Sequence, residues 1–104
     1  MDLALVVMTA KDEDEARLVA EKLVGEKLAA CVNIIPKVLS VYRWKGEVFR
    51  EPECYLLAKT RKDLVPRLTA AVRSVHSYEC PAVAALDITG GSPDFLAWIA
   101  DMTE

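Results

Sequence analysis

The run from Ala30 to Trp44, the dipeptide Lys45-Gly46 and the return through Cys54 to Lys59 read as one β-hairpin. Its arms are too long for the body that carries it. An arm of that length, extended at about 3.3 Å per residue, spans roughly 45–50 Å. The whole chain has 104 residues, and a compact chain of about that size has a radius of gyration near 13 Å. Such arms must bend over the body or reach out of it. An apolar arm that reaches out needs a partner, because unpaired strand edges invite other strands. The hairpin therefore implies an oligomer. If Lys45-Gly46 is a two-residue turn, Tyr42 faces Phe49 as an aromatic cross-strand pair. Pro36 and Pro52 each remove a ladder donor, so they mark bulges or edge positions where an arm changes direction or partner.

The remaining elements follow from periodicity and from stop and start signals. Leu3 to Thr9 is a short, continuous apolar run, the pattern of a central strand covered on both faces. Asp12 caps a helix with Glu15 at the capping-box distance, and the acidic run Asp12 to Glu15 reads as a solvated helix start. Ala16, Val19, Ala20 and Leu23 give that helix its apolar stripe, and Gly25 ends it. Thr60-Arg61-Lys62-Asp63 signals the entry to a second helix. Its apolar face is Leu64, Leu68, Val72 and Val75, with Pro66 in the first turn. Val83 to Ile88 is another strand. Ser92-Pro93 then starts a last helix carrying Phe95, Trp98, Ile99 and Met102. The order β-α-β-β-α-β plus a helix is that of an α+β, ferredoxin-like split βαβ fold. Its sheet has one face under two helices and the other open to further subunits. Residues 1–104 read as a single domain.

Composition narrows the function. Apolar residues make up 53% of the chain, a surplus that again favours a buried interface. The net charge is −3 with no basic block, which argues against a nucleic-acid partner. No run approaches the roughly 20 apolar residues of a membrane span, and Met1-Asp2-Leu3 lacks a basic leader, so a soluble, cytoplasmic protein is expected. The three cysteines, Cys31, Cys54 and Cys80, are odd in number and widely spaced, which is not a disulfide framework. They are expected as free thiols. No nucleophile triad, phosphate loop or metal-hydrolase motif is present, so the chain does not read as an enzyme.

Four segments carry a resemblance: Leu28-Ala29-Ala30-Cys31-Val32-Asn33-Ile34-Ile35-Pro36, Ser40-Val41-Tyr42-Arg43-Trp44-Lys45-Gly46, Lys59-Thr60, and His76-Ser77-Tyr78-Glu79-Cys80-Pro81. In order and spacing they resemble the CutA family of divalent-cation tolerance proteins, over essentially the whole chain. The resemblance implies a ferredoxin-like homotrimer that binds copper or another divalent cation and serves metal-ion tolerance, with no obligatory cofactor. Some members add a cysteine in the first strand and a second histidine before the shared one. Met8 and Val75 stand there in this chain, which leaves His76.

Candidate site residues then fall into three groups. His76, Glu79 and Cys80 are candidate metal donors, since imidazole and thiolate both suit copper. The plainer reading of His76 is a helix-end cap. Tyr42, Trp44, Lys59 and Tyr78 are candidates to line an inter-subunit cleft. The family's trimer resembles that of the PII signalling proteins, so an alternative function is a signalling or adaptor trimer. In that alternative the cleft, with Lys59, takes a small anionic effector. Cys31, Asn33 and Phe49 are candidate trimer-interface residues. Cys31 and Cys54 also read simply as small buried core residues, and Asn33 as a buried amide that needs a partner.

Overall fold

The structure, a computed structural model, describes residues 2–103. Met1 and Glu104, the two ends of the expected 1–104 domain, lie outside the described residues. The order of elements is β1 (Leu3–Ala10), α1 (Glu13–Gly25), β2 (Cys31–Trp44), β3 (Glu47–Arg61), α2 (Val65–Val75), β4 (Val83–Ile88) and α3 (Pro93–Asp101). The four strands form one antiparallel sheet in the order β2-β3-β1-β4. That is the expected split βαβ arrangement with a helix added at the end.

Alternation along the strands decides which face is covered. Ala4, Val6, Met8 and Ala10 of β1 share a face with Cys54, Leu56 and Ala58 of β3, and all are buried. They pack with Ala16, Val19, Ala20 and Leu23 of α1 and with Leu68 and Val72 of α2 as one core. The opposite face carries Leu5, Val7, Tyr55 and Leu57, which are only half-buried, and the exposed Leu86. β1 is therefore covered on one face, not on both. The continuous apolar run reflects an open apolar sheet face in the protomer. α3 covers one end of it, where Leu3, Ala30 and Ile99 make a second small cluster with Ile88 and Leu96.

The hairpin extends from this body, and the molecule measures 43 × 24 × 22 Å with a radius of gyration of 13.9 Å. Lys45 and Gly46 both take positive φ, 50° and 83°, as a two-residue type I′ turn requires. Tyr42 pairs with Phe49 in the ladder, and the rings stack with centroids 5.5 Å apart. The ladder slips between Ile35 and Val38. There Pro36 and Lys37 stand against Cys54 alone, which is a bulge at the proline. The Cys54 thiol donates to the Pro36 carbonyl at 3.0 Å and fastens the bulge to the core.

Three boundaries differ from the sequence reading. Gly25 is the last residue of α1, but the left-handed position after it is Lys27, at φ 61°. Thr60 and Arg61 still belong to β3, because the Thr60 hydroxyl donates to the Leu28 carbonyl at 2.6 Å rather than capping a helix. A single 3₁₀ turn, Lys62–Leu64, then leads into α2. On α3 only Ile99 is buried; Phe95, Trp98 and Met102 face out.

Candidate functional site

The bulge at Pro36 decides what the hairpin presents. Before it, Asn33 and Ile35 share the open face with Leu57 and Tyr55. The extra residue reverses the parity of β2, so that Val38, Ser40, Tyr42 and Trp44 lie on that same face, opposite Glu53, Glu51, Phe49 and Glu47. The segment Ser77 to Ala82, between α2 and β4, comes down beside them. Together they enclose a groove of about 640 Å³ lined by Thr9, Ser40, Tyr42, Trp44, Glu53 and the 77–82 segment.

His76 and Glu15 hold that segment in place. The His76 side chain is 1% exposed and that of Glu15 is 6% exposed. A backbone N–H can only donate, so the 3.1 Å contact from Tyr78 N makes His76 Nδ1 an acceptor. The ring hydrogen is then on Nε2, which donates to the Thr9 carbonyl at 2.8 Å. Glu15 accepts from the Ser77 amide at 2.9 Å and from the Lys11 amide at 3.0 Å. Its Oε1 lies 3.7 Å from His76 Nε2. Burial pushes the Glu15 carboxyl up, but the hydrogen bonds from Ser77 and Lys11 and the nearby imidazole together hold it below its ordinary value.

Two phenols of the groove lining meet carboxylates, Glu53 within the lining and Glu51 outside it. Tyr42 donates to Glu51, and Tyr78 donates to Glu53 at 2.7 Å. The bond to Glu51 pushes the Tyr42 phenol up to about 12. Burial and then the bond to Glu53 raise Tyr78 further. Both phenols therefore stay protonated as donors.

The expected metal donors do not converge in the protomer. Both nitrogens of His76 are engaged inside the fold, which leaves no lone pair to offer a cation. Glu79 and Cys80 are exposed neighbours on the rim of the groove. Among the described residues no three His, Cys, Asp or Glu side chains form a cluster that could hold a metal ion. Of the expected cleft residues, Tyr42, Trp44 and Tyr78 do line one groove. Lys59 does not join them, because it lies further down β3 and bonds the Asn33 side-chain oxygen. An anionic effector thus lacks the cation assigned to it, and the signalling alternative is not supported. Cys31 sits half-buried opposite Lys59 at the base of the hairpin, and Phe49 lies near its tip against Tyr42. Cys54 is buried, and burial raises its thiol, as do the nearby charges of Glu13 and Asp12.

Two functional residues escaped the sequence reading. Glu15 reads there as solvated, yet it falls on one helical stripe with Val19 and Leu23, at spacings of four, and that stripe faces the core. Glu53 left a fainter trace, as one of two carboxylates at i and i+2 on a strand, where they share a face.

The model of the CutA1 divalent ion tolerance protein family matches residues 4–102. The divalent-cation tolerance protein CutA of Thermus thermophilus is 42% identical over 99 residues, which are 95% of this chain and 96% of that protein. Protein CutA of Mus musculus is 43% identical over 97 residues, 93% of this chain but only 55% of the mouse protein. The solved structure of the Thermus thermophilus divalent cation tolerance protein superimposes with a TM-score of 0.95 at 41% identity, covering 98% of this chain and 99% of that one. CutA1 from Oryza sativa gives 0.96 at 38% identity, covering 100% and 95%. Across strands, helices and the outsized hairpin alike, this chain belongs to the CutA1 divalent ion tolerance family.

Proposed function

We propose that this protein is a homotrimeric divalent-cation-binding protein of metal-ion tolerance, with copper(II) foremost among its cations, and not an enzyme. The observation that carries the reading is the family match over residues 4–102. Assembly is supported by the hairpin, where Leu39 is 74% and Val41 61% exposed. Apolar side chains on a projecting strand are a poor surface for water and a good one for another copy. The hairpin of one protomer then extends the sheet of the next, with Cys31, Asn33 and Phe49 at the contact. Glu79 and Cys80, adjacent on the groove rim, are the assigned cation donors, and neighbouring copies supply the rest of the ligand set. His76 holds the segment that carries them. A cytoplasmic location belongs to the same proposal and is supported by three free thiols, the usual state in a reducing compartment.

The test is a copper(II) titration of metal-free protein against a competing chelator, on wild type and on the double variant Glu79→Gln, Cys80→Ser, with the mass followed by light scattering. Stoichiometric binding that the double variant loses, on a particle of three chains, is the expected result. Weak binding indifferent to both substitutions defeats the cation reading. A monomer at micromolar concentration defeats the trimer.

A further inference from the structure

We infer that the face of the hairpin tip carrying Arg43 and Arg50 docks on helix α3 of the next copy, arginines against aspartates. The inference rests on the trimer proposed above and names the two surfaces that close it. A ring of three identical chains cannot be built from self-complementary contacts. Each contact joins two different patches of the chain. The protomer exposes two apolar patches away from its own core, one at the hairpin tip and one on α3.

Beyond the bulge the two faces of the hairpin separate by charge. The ladder sets Leu39 opposite Pro52, Val41 opposite Arg50 and Arg43 opposite Val48, and residues opposite each other share a face. That face is apolar, with two arginines and no acid. Its Leu39, Val41 and Val48 are 74%, 61% and 41% exposed. The other face holds Glu47, Glu51 and Glu53 and no base.

At the opposite end of the hairpin, α3 buries Ile99 against Leu3 and Ala30. Its outward side is apolar as well. Phe95, Trp98 and Met102 are 45%, 39% and 46% exposed, and the Phe95 and Trp98 rings stack with centroids 5.7 Å apart. Their spacing of three and four residues makes them one stripe, and Asp94 and Asp101 flank Trp98 at the same spacings. No basic residue lies in α3. Among the described residues, none of Arg43, Arg50, Asp94 and Asp101 takes part in an ion pair.

The two patches are alike in polarity and opposite in sign. Leucine and valine laid on the aromatic stripe remove apolar surface from water on both sides. Arginine contributes twice, because a guanidinium pairs with a carboxylate and also lies flat on an aromatic ring. Charge selects the face that docks, since the glutamate face would set like charges against α3. The patches lie at opposite ends of the hairpin, so a chain does not satisfy its own pair. Each copy gives its tip to one neighbour and receives a tip on α3 from the other.

The experiment follows the mass of the full chain by light scattering in a dilution series, with chelator present. The series is carried into urea until the wild-type trimer dissociates. One variant carries Arg43→Glu and Arg50→Glu, a second Asp94→Lys and Asp101→Lys, and a third all four. Each of the first two should raise the concentration of half-dissociation by roughly tenfold or more, because like charges then meet. The fourfold variant should return to within about threefold of wild type, since the partners are exchanged and their coupling is kept. Misfolding cannot produce that recovery. Trp98 emission, read in a Trp44→Phe background, should shift to the red on dissociation. Arg43→Glu with Arg50→Glu should bring on the shift at concentrations where the parent is unshifted, although both substitutions lie at the far end of the same chain. A wild type that scatters as a monomer removes the trimer and this docking together. A trimer indifferent to both charge reversals, a fourfold variant no better than either pair, or Trp98 emission unmoved by the hairpin substitutions overturns the docking and leaves the trimer in place.

Discussion

The base and the tip of the hairpin belong to one ladder, yet they are stabilised in different ways. At the base, Cys54, Leu56, Ala58 and Thr60 alternate inward and are buried beneath α1 and α2. At the tip, Leu39, Val41 and Val48 are as apolar, and they face solvent. Alternation and composition look alike in the two halves, and only the presence of helices over one of them separates the outcomes. The base is organised by its own chain. The tip is held within the protomer by its turn, its ladder and the Tyr42–Phe49 stack, and its apolar residues are the surface that the proposed assembly would cover. Apolar strand residues thus do not by themselves say whether their own chain buries them.

The widest test of this contrast sets Leu56→Ala against Leu39→Ala. Leu56 is fully buried in the main core, so its truncation should cost about 2–5 kcal/mol. Leu39→Ala should change protomer stability by no more than about 0.5 kcal/mol, the usual range for exposed sites. Its effect should appear in the concentration dependence of the melting temperature, as linkage to assembly requires. Urea unfolding at two protein concentrations checks both variants. A loss in Leu39→Ala as large as in Leu56→Ala, and independent of concentration, would erase the distinction between base and tip.

A smaller effect is expected outside the hairpin, at Glu15. This carboxylate ties α1 to Ser77 and so to the groove. Glu15→Gln exchanges a charged acceptor for a neutral amide between two backbone N–H donors, at a cost of about 1–3 kcal/mol near neutral pH. The sign with pH follows from the lowered pKa of the folded state. The unfolded chain takes up the proton first as pH falls. The stabilisation is therefore complete above the ordinary glutamate range and is lost as pH drops through it to the lower folded value. Wild type and Glu15→Gln should converge in unfolding midpoint on going from about pH 7 to about pH 3. A constant gap over that interval would mean that the ionised carboxylate contributes nothing beyond its shape.

The order of strands and helices was legible in the sequence; the hairpin register was legible only on the condition that Lys45-Gly46 forms a two-residue turn, since Lys-Gly is a weaker turn signal than Asn-Gly, and the positive φ at both residues meets that condition. The bulge was legible as one option at Pro36. Its consequence was not, since a parity reversal shows only once Val38 is seen opposite Glu53. His76 was legible as a special residue and ambiguous in role. Whether an imidazole faces a cation or a backbone amide depends on how the chain after α2 folds back over β1. The covering of β1 was misread for a physical reason: a strand with helices on both faces and a strand with one open apolar face use the same residues. Lys59 was expected in an inter-subunit cleft; within the protomer the ladder sets it opposite Cys31, at the base of the hairpin and bonded to Asn33, away from the groove.

The smallest expected effect isolates the tip. A side chain at Gly46, where φ is +83°, would meet open space, so crowding does not enter and only the left-handed backbone resists substitution. Gly46→Ala should cost about 1 kcal/mol, the penalty of placing a side chain in that region. Lys45 already bears such a conformation at φ 50°, so Lys45→Gly should relieve roughly a few tenths of a kcal/mol at the same turn. The relief is partly offset by the greater freedom glycine gains in the unfolded chain. Amide hydrogen exchange resolves where these changes act. If the tip is held separately from the base, Gly46→Ala speeds exchange from Leu39 to Glu51 and leaves Leu56 and Ala58 as protected as in wild type. Faster exchange spreading evenly down to Ala58 would show that the turn and the core open as one unit, and the division between tip and base would not stand.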